Sequence, residues 1–389
     1  MAAPLPSFDI FCRVIDNFGD IGVCWRLARQ LAQAGAGPMR LWVDDLRSFA
    51  RIEGQVSPGV AEQTVEGIDI VHWTAHAPSP QPHEVVVEAF ACDPPPGFVA
   101  RMRQRRSLWI NLEYLSAEDW VQDCHALPSP QAGGLTKFFF FPGFTEATGG
   151  LLREAGLLDR QRAWQARPAL RRRLLDGIGM PDALADKLMD GWRQVFVFCY
   201  GHAPADALAH ALDDRDAPSV IIVPQGVLPA LRTLQTDTLR VFESPFVSQD
   251  DFDKLLWSSD LNIVRGEDSL LRATWAGRPF IWHIYPQEEQ AHLVKLDAWL
   301  ARAGWREPVP ALMRAWNAES AQAGPSLPAG LPPPGGPGPV LDRLLSTALS
   351  PPHWEQWRAD ALSLRDRLAT QDSLVQRLLA FCAEHGRKG

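Results

Sequence analysis

Residues 8–14 read Phe-Asp-Ile-Phe-Cys-Arg-Val, and residues 16–22 read Asp-Asn-Phe-Gly-Asp-Ile-Gly. The first run is short, apolar and rich in strand-forming residues, whereas the second contains the glycines and polar residues of a loop. From residue 23 to residue 34 the apolar side chains recur at helical spacing, and Gly35 ends that pattern. The segment therefore predicts a strand, a loop and a helix, which is the first repeat of an alternating α/β fold.

The same alternation continues along the chain. In the first half, further strands are predicted at 40–43, 68–73, 84–90, 108–112 and 137–141. In the second half, strands are predicted at 195–199, 219–223, 239–242, 261–264 and 279–284, with helices at 205–212, 249–258 and 268–276. Strands that alternate with helices form parallel sheets covered by those helices, so we expect two doubly wound, Rossmann-like domains.

The length of the chain also favours two domains. It has 389 residues, of which 46% are hydrophobic, and this is too long for one typical core. We expect a first domain at 1–184, a second at 185–365, and a C-terminal helix at 366–389 that packs back on the first. Between the halves, 151–193 reads as linker helices with a solvated basic face. The Pro/Gly-rich stretch 324–339 reads as a surface loop, and closing helices are expected at 352–368 and 373–385.

The composition excludes some classes of partner. The 38 Lys+Arg against 46 Asp+Glu give a formal net charge of -8, which argues against a general nucleic-acid or anionic-membrane binder but allows a local basic pocket. No apolar run approaches the roughly 20 residues that span a bilayer. The N-terminus lacks the features of a secretory signal, so we expect the cytoplasm. The six cysteines are scattered without a CxxC pair, which predicts neither a zinc site nor a disulfide framework.

Ligands of doubly wound folds bind beyond the carboxyl ends of the strands, so we searched those loops first. Two such domains are expected to share a cleft there. The loop after the first strand carries Asp16 and Asp20 beside Gly19. Asp20 ahead of Val23 would serve as a helix N-cap, but two acids in one short turn also repel each other, which favours a general base. Neither a GxGxxG fingerprint nor a Walker sequence is present.

A second loop reads Arg-Gly-Glu-Asp-Ser at 265–269, directly after a predicted strand. Asp268 and Ser269 are natural capping residues. The preceding Arg265 and Gly266 are less ordinary, because a guanidinium and free amides at a helix N-terminus together form a good cradle for a diphosphate. Both interpretations stay open from the residues alone.

A third loop, 244–252, enters a predicted helix. Phe246 or Phe252 could stack on a base, and Gln249 could read the edge of a pyrimidine, although Phe252 also fits the core face of the helix. Asp251 and Asp253 form a superficial DxD motif. Because this motif lies inside an amphipathic helix rather than at a strand end, we expect no metal there.

Tyrosine is scarce, with three residues against fifteen tryptophans. Tyr200 ends the first strand of the second half and Tyr285 ends its last, whereas Tyr114 lies elsewhere. The first two placements direct a phenol into the expected cleft, although a core role with a satisfied hydroxyl also fits.

Taken together, residues 16–22, 198–200, 245–253 and 265–269 resemble the elongation factor P arginine rhamnosyltransferases. The resemblance runs from the first strand past Tyr285. It implies a GT-B fold of two facing Rossmann-like domains and an inverting transfer of L-rhamnose from dTDP-β-L-rhamnose to one arginine of bacterial elongation factor P. The modified factor then relieves ribosome stalling at polyproline.

The resemblance also implies roles for single residues. Asp20 matches the general base with Asp16 beside it, and Glu267 matches a second essential carboxylate. The implied substrate-binding residues fall into three groups: Asn17, Phe18 and Gly19 along the donor sugar; Arg265, Gly266 and Ser269 at the diphosphate; and Phe198, Tyr200, Phe246, Gln249, Asp250, Asp251, Phe252, Asp268 and Tyr285 around the nucleotide.

The chemistry fits these residue types independently. A guanidinium has a pKa above about 12 and is a poor nucleophile, so an acceptor arginine needs carboxylates that orient it and take a proton, as Asp20 and Glu267 could. No metal or other cofactor is expected. Two alternatives remain open: a GT-B transferase that uses another nucleotide sugar and a small-molecule or glycan acceptor, and a non-catalytic protein that binds nucleotide sugars.

Overall fold

The structure is a computed structural model that describes residues 4–15, 18–287, 291–323 and 338–386. Contacts between residues divide the chain into two compact units. The first unit comprises Met1–Leu157 with Ala369–Gly389, and the second comprises Leu158–Leu368. We describe each unit by itself.

The first unit is built on a sheet in which eight strands are described, in the order β3-β4-β2-β1-β5-β6-β8-β7. Strands β3 and β7 pair antiparallel at the two edges, and the other pairs are parallel. The strands are β1 (Phe8–Cys12), β2 (Met39–Val43), β3 (Glu62–Val65), β4 (Ile68–His72), β5 (Val85–Ala89), β6 (Leu108–Leu112), β7 (Pro128–Pro130) and β8 (Thr136–Phe140). The sequence did not predict β3 and β7, because both are short, polar edge strands without an apolar run.

Helices cover this sheet, and their described members are α1 (Gly19–Gln33), α2 (Leu46–Ile52), α3 (Pro96–Arg105) and α4 (Trp120–Cys124). Strand β1 lies in the middle of the sheet between β2 and β5, and all five of its residues are buried. Phe11 stacks on Trp42 of β2 with ring centroids 5.0 Å apart. Because β1 is buried on both faces, it is held firmly in the sheet up to Cys12. The loop that leads to α1 begins after this residue.

Strand β1 also contains a buried carboxylate, Asp9, which is fully compensated. It accepts hydrogen bonds from Arg40 Nε at 2.6 Å, Trp42 Nε1 at 2.9 Å and the His83 amide at 2.7 Å. A buried charge is tolerated only when such partners replace water. Asp9 is therefore a structural group and is not available for chemistry.

The second unit contains a five-stranded parallel sheet in the order β11-β10-β9-β12-β13. Its strands are β9 (Arg193–Phe198), β10 (Ser219–Pro224), β11 (Leu239–Ser244), β12 (Leu261–Arg265) and β13 (Phe280–His283). Its described helices, apart from a 3-10 turn at Pro229–Thr233, are α5 (Leu157–Gln165), α6 (Pro168–Gly177), α7 (Asp182–Met189), α8 (Ala205–Leu212), α9 (Gln249–Ser258), α10 (Gly266–Ala276), α11 (Ala291–Ala303), α12 (Val309–Ala323), α13 (Pro339–Leu349) and α14 (Pro351–Ala369). All five predicted strands are present within a few residues of their expected ends.

The division between the units falls after Leu157, whereas the sequence suggested residue 184. Helices α5, α6 and α7 are part of the second unit: side chains of α5 and α6 are bonded to it, and α7 pairs with α6 through Arg172. Gln161 Nε2 donates to Ala276 O at 2.7 Å, Gln165 Nε2 donates to Trp257 O at 2.8 Å, and Arg171 donates to Gln194 Oε1. These helices are therefore not free linkers.

The last described helix, α15 (Leu374–His385), lies in the first unit. The Leu374 amide donates to Leu151 O at 2.8 Å, and the ring of Phe381 contacts that of Phe138. The predicted loop 324–339 lies almost entirely outside the described residues. Among the helices that the structure describes, none is both long and apolar enough to cross a bilayer.

Candidate active site

In the first unit, the candidate catalytic residue Asp20 lies in the first turn of α1, the helix that follows β1 along the chain. Only 2% of Asp20 is exposed. Its Oδ2 accepts a hydrogen bond from the Ile15 amide at 2.8 Å, and Tyr114 Oη lies 3.4 Å from its Oδ1. The first turn of a helix carries a partial positive charge, and Asp20 lies within it. Asp20 is therefore a positioned, hydrogen-bonded base candidate.

The interpretation of Asp20 as an N-cap is wrong. Helix α1 begins at Gly19, four residues earlier than expected, and its N-cap is Phe18, which makes no side-chain capping bond. Asp20 is consequently the second residue of the helix, and its carboxylate bonds back to the loop. Asp16 and Asn17 lie outside the described residues.

Buried cysteines lie near Asp20. Cys12 and Cys24 are both buried, and the pKa of Cys12 is raised, mainly by burial and then by Cys24 and by the nearby charge of Asp20. Buried thiols with a raised pKa are inert. The carboxylate is therefore the reactive group at this position.

Two residues that the sequence analysis missed lie at the same edge of the first sheet. Tyr114 follows the end of β6 and stacks on Phe90, which follows β5, with ring centroids 4.2 Å apart. The carboxyl group of Glu113 is half-buried, and burial raises its pKa. Asn111 Nδ2 donates to Glu113 Oε1 at 2.6 Å. Their positions directly after a strand were the signal that could have identified them.

In the second unit, Arg265 is the last residue of β12 and the N-cap of α10. Its guanidinium lies over the ring of Phe198 at 4.8 Å and over that of Tyr200 at 4.9 Å. Phe198 is the last residue of β9, the strand next to β12, and Tyr200 follows two residues later. Cation–π contacts of this kind hold a guanidinium in place while its N–H groups remain available to an anion.

The cap interpretation of Asp268 and Ser269 is also wrong. Helix α10 begins at Gly266, so these two residues are already its third and fourth. Gly266 has a φ of +65°, a conformation that glycine adopts without strain, and its carbonyl accepts a hydrogen bond from Trp282 Nε1 at 3.0 Å. The first four amides of a helix, counted from the N-cap, have no partner within the helix, and here they belong to Arg265, Gly266, Glu267 and Asp268.

Tyr200 and Tyr285 meet beside this helix start, with ring centroids 5.6 Å apart. Tyr200 is 7% exposed and Tyr285 is 58% exposed. Behind them, buried His283 accepts a hydrogen bond from the Tyr200 amide through Nδ1 at 3.3 Å. Burial, assisted by His202 and Arg265, lowers the pKa of His283 well below its usual range, so the ring is neutral. His283 thus fixes the end of β9, a role that the sequence analysis missed.

The third candidate loop, 244–252, leads into helix α9. Its N-cap is Ser248, whose Oγ accepts from the Asp251 amide. The ring of Phe252 contacts those of Phe196 and Phe198, each at 5.3 Å, which confirms the packing interpretation of Phe252. The remaining candidates differ in exposure: Gln249 is buried, Phe246 is half-buried and Asp250 is exposed.

The DxD motif does not form a paired site. Asp253 is buried and makes two hydrogen bonds with the buried guanidinium of Arg272, whereas Asp251 pairs with Lys254 at 2.7 Å on the helix surface. Among the described residues, no group of three His, Cys, Asp or Glu side chains could hold a metal ion. Asp253 therefore stabilises the packing of α9 against α10.

Each unit thus presents a set of candidates at the carboxyl edge of its sheet. The first unit brings Asp20 together with Tyr114. The second brings together Arg265, Phe198, Tyr200 and Tyr285, with Phe252 packed behind Phe198.

A model of the family described as Elongation-Factor P (EF-P) rhamnosyltransferase EarP matches residues 8–383. The chain belongs to the EarP family. The resemblance drawn from the four sequence motifs is thereby confirmed, and the chain is a glycosyltransferase with the GT-B fold.

Individual relatives agree with the EarP assignment. A protein-arginine rhamnosyltransferase of Pseudomonas aeruginosa is 41% identical over 401 residues, covering 98% of this chain and 100% of that protein. The solved structure described as the structural basis for EarP-mediated arginine glycosylation of translation elongation factor EF-P is 29% identical. It covers 98% of this chain and 99% of its own, with a TM-score of 0.61. UGT89C1 of Arabidopsis thaliana, complexed with UDP, shares the fold at 11% identity, with a TM-score of 0.54 and coverage of 97% and 99%.

Proposed function

We propose that this protein transfers L-rhamnose from dTDP-β-L-rhamnose to one arginine of elongation factor P, with inversion at the anomeric carbon. The observation that carries the proposal is Arg265, which two aromatic rings hold at the N-terminus of α10 in a chain of the EarP family. This is a site for a diphosphate rather than for a neutral ligand.

The second unit is proposed to bind the donor. As the bond to the sugar breaks, negative charge grows on the departing dTDP, and Arg265 with the first amides of α10 would stabilise that charge. Tyr285, which is largely exposed, and the half-buried Phe246 offer aromatic faces to the thymine base. Buried Gln249, exposed Asp250 and half-buried Asp251 stay proposed nucleotide contacts because of the family resemblance.

The first unit is proposed to activate the acceptor. A guanidinium nitrogen must lose a proton as its new bond to carbon forms, and Asp20 is the proposed recipient of that proton. Glu267, in the first turn of α10, is proposed to hold the guanidinium through a charge-assisted pair. One displacement at the anomeric carbon converts the β-linked donor into an α-linked product.

The proposed setting is the cytoplasm, where the modified factor would relieve ribosome stalling at polyproline. We propose that neither a metal ion nor another cofactor takes part, and that nucleic acid and membranes are not partners. The net charge of -8 supports the last two points, because binders of phosphate polymers need an excess of cations.

The test is the intact mass of elongation factor P after incubation with this protein and dTDP-β-L-rhamnose. We expect a gain equal to one deoxyhexosyl residue and no gain when the acceptor arginine is replaced by lysine, which lacks the forked guanidinium. A panel of other nucleotide sugars in parallel reactions tests the donor. If another nucleotide sugar modified a greater fraction of elongation factor P, dTDP-rhamnose would be refuted as the donor. Binding of dTDP without any mass gain would indicate a non-catalytic protein.

A further inference from the structure

A cavity of about 300 Å³ lies in the second unit at the amino end of β13. The proposed donor site uses the carboxyl ends of β9 and β12, which is the opposite edge of the same parallel sheet. The cavity is therefore separate from the residues assigned above. It is lined by the α10–β13 connection and by one face of α14: Gln165, Ala276, Gly277, Arg278, Pro279, Glu355, Arg358, Ala359, Leu362 and Arg365.

The lining carries three guanidinium groups and one carboxylate. Arg358 pairs with Glu355 at 3.1 Å, and Arg365 pairs with its neighbour Asp366 at 2.7 Å. Arg278 makes neither an ion pair nor a hydrogen bond with any residue that the structure describes. The cavity wall therefore has an excess of positive charge, and that excess is concentrated on Arg278.

Without a bound anion, this cluster of partly buried guanidinium groups costs free energy. The pKa of Arg278 is lowered, mainly because its half-buried guanidinium is partly withdrawn from water; the attraction of Asp260 opposes this, and the repulsion of Arg358 and Arg365 adds to it. Asp260 is not within 4.0 Å of the Arg278 guanidinium, so the two do not form an ion pair. A cation withdrawn from water needs a counter-charge in contact with it.

Two further arginines, outside the cavity lining, also interact with Asp260. Arg171 donates to the neutral side-chain amide of Gln194, and Arg193 lies over the ring of Trp354 at 5.1 Å. Burial lowers the pKa of both arginines, and Asp260 is the first charge that opposes it in each case. One carboxylate thus faces several partly desolvated guanidinium groups at this edge of the sheet.

The C-terminus of α10 does not account for Arg278. A helix end carries only about half an elementary negative charge. One of its carbonyls, that of Ala276, already accepts a hydrogen bond from Gln161 Nε2 at 2.7 Å. The helix end therefore offers Arg278 a partial counter-charge rather than an ionic partner.

Gly277 lies in the wall of the cavity, against the side chain of Arg365. Its φ is +64°, and a Cβ at this position would lie 3.0 Å from both Cδ and Nη1 of Arg365. Glycine adopts this φ without strain and leaves room for the Arg365 side chain, which a Cβ would crowd. The backbone thus holds a second cation beside Arg278.

We propose that this cavity is a second anion site, which binds a phosphate group through Arg278 with Arg358 and Arg365. Guanidinium groups match the oxygens of phosphate with paired N–H donors. The volume lies at the lower end of the range for small-molecule sites, which suits a free phosphate or the phosphoryl end of a small molecule.

Calorimetric titration of the full chain with inorganic phosphate, and in parallel with pyrophosphate, tests the proposal. We expect saturable binding, and a loss of affinity of about tenfold or more in Arg278→Met, because hydrogen bonds to charged groups are the strong ones. Arg358→Met removes a second cation and is expected to weaken binding in the same direction. Stronger binding of pyrophosphate than of phosphate would assign the site to a phosphorylated small molecule, and equal binding to free phosphate.

Two control variants make the result specific. Arg265→Met removes the cation of the proposed donor site, and Arg314→Met removes an exposed arginine of the same unit that pairs with Asp297. Both should retain the phosphate binding that Arg278→Met loses. Without phosphate, the unfolding midpoint of Arg278→Met should equal or exceed that of the parent chain.

The proposal is overturned if the parent chain binds no phosphate at about 10 mM, a concentration that detects even weak sites. It is also overturned if Arg278→Met binds phosphate as tightly as the parent, or if only Arg265→Met loses binding. A lowered unfolding midpoint in Arg278→Met would show that the arginine is a structural partner of the helix end.

Discussion

Replacing Asp20 by asparagine separates the chemical role of its carboxylate from its structural role. In the parent structure the Ile15 amide donates to Asp20 Oδ2 at 2.8 Å. Asparagine keeps one side-chain oxygen, which can still accept this hydrogen bond. The contact of 3.4 Å with Tyr114 Oη is long and contributes little. We therefore expect the unfolding free energy to fall by no more than about 1 kcal/mol.

The rate of transfer should fall much further. Asparagine cannot accept the proton that leaves the guanidinium, and a positioned general base contributes about 10²- to 10⁴-fold to a rate. This corresponds to about 3–5 kcal/mol in the activation free energy. The measurement is the turnover of elongation factor P under saturating donor, followed by intact mass, with dTDP affinity determined separately by calorimetry.

Asp44 provides a matched control. Its Oδ1 accepts a hydrogen bond from the Val14 amide at 2.8 Å, so it holds the same loop through the neighbouring residue. Asp44→Asn should keep turnover within a few-fold of the parent. Equal losses in the two variants would show that Asp20 only organises the loop, and near-normal turnover in Asp20→Asn would refute its assignment as the base.

Three further predictions concern other charges. Arg265→Met should weaken dTDP binding about 10- to 100-fold by calorimetry, with Arg265→Lys in between, and unchanged affinity would contradict the diphosphate assignment. Arg272→Met should cost about 3–5 kcal/mol in urea unfolding because it leaves Asp253 buried and unpaired, and the double variant with Asp253→Leu should recover part of that loss; no recovery would count against the pair. Burial lowers the pKa of His125 from 6.5 to about 4, so the stability that its neutral ring contributes is fully present above about pH 6.5 and is lost as the pH falls toward 4. His125→Phe should flatten the urea midpoint between pH 7 and pH 5, and an unchanged slope would contradict this.

The sequence predicted the strands better than the starts of the helices. The buried parallel strands are continuous apolar runs, and such runs are visible locally. Helices α1 and α10 begin earlier than expected, at Gly19 and Gly266, because their first turns contain glycines and acids that read as loop. The three cap candidates, Asp20, Asp268 and Ser269, are therefore residues of the first helical turns rather than caps.

Contacts between distant residues were not predictable in the same way. Nothing in the local pattern around Tyr114 shows that it lies beside Asp20, 94 positions earlier. The same holds for His283, which bonds the Tyr200 amide, and for Arg278, which shares a cavity with Arg358. Such pairs depend on which strands become neighbours in the sheet.

The sequence by itself determined the alternating α/β architecture, the loops that carry the candidate residues, and membership of the EarP family through four separate motifs. Only the tertiary structure decided what each side chain meets: that Asp253 is bound to Arg272, that Arg265 lies against two rings, and that the half-buried Arg278 makes no ion pair with a described residue. The physical reason is that hydrophobic periodicity is a property of neighbours along the chain, whereas burial and electrostatic partnership arise only when strands and helices pack.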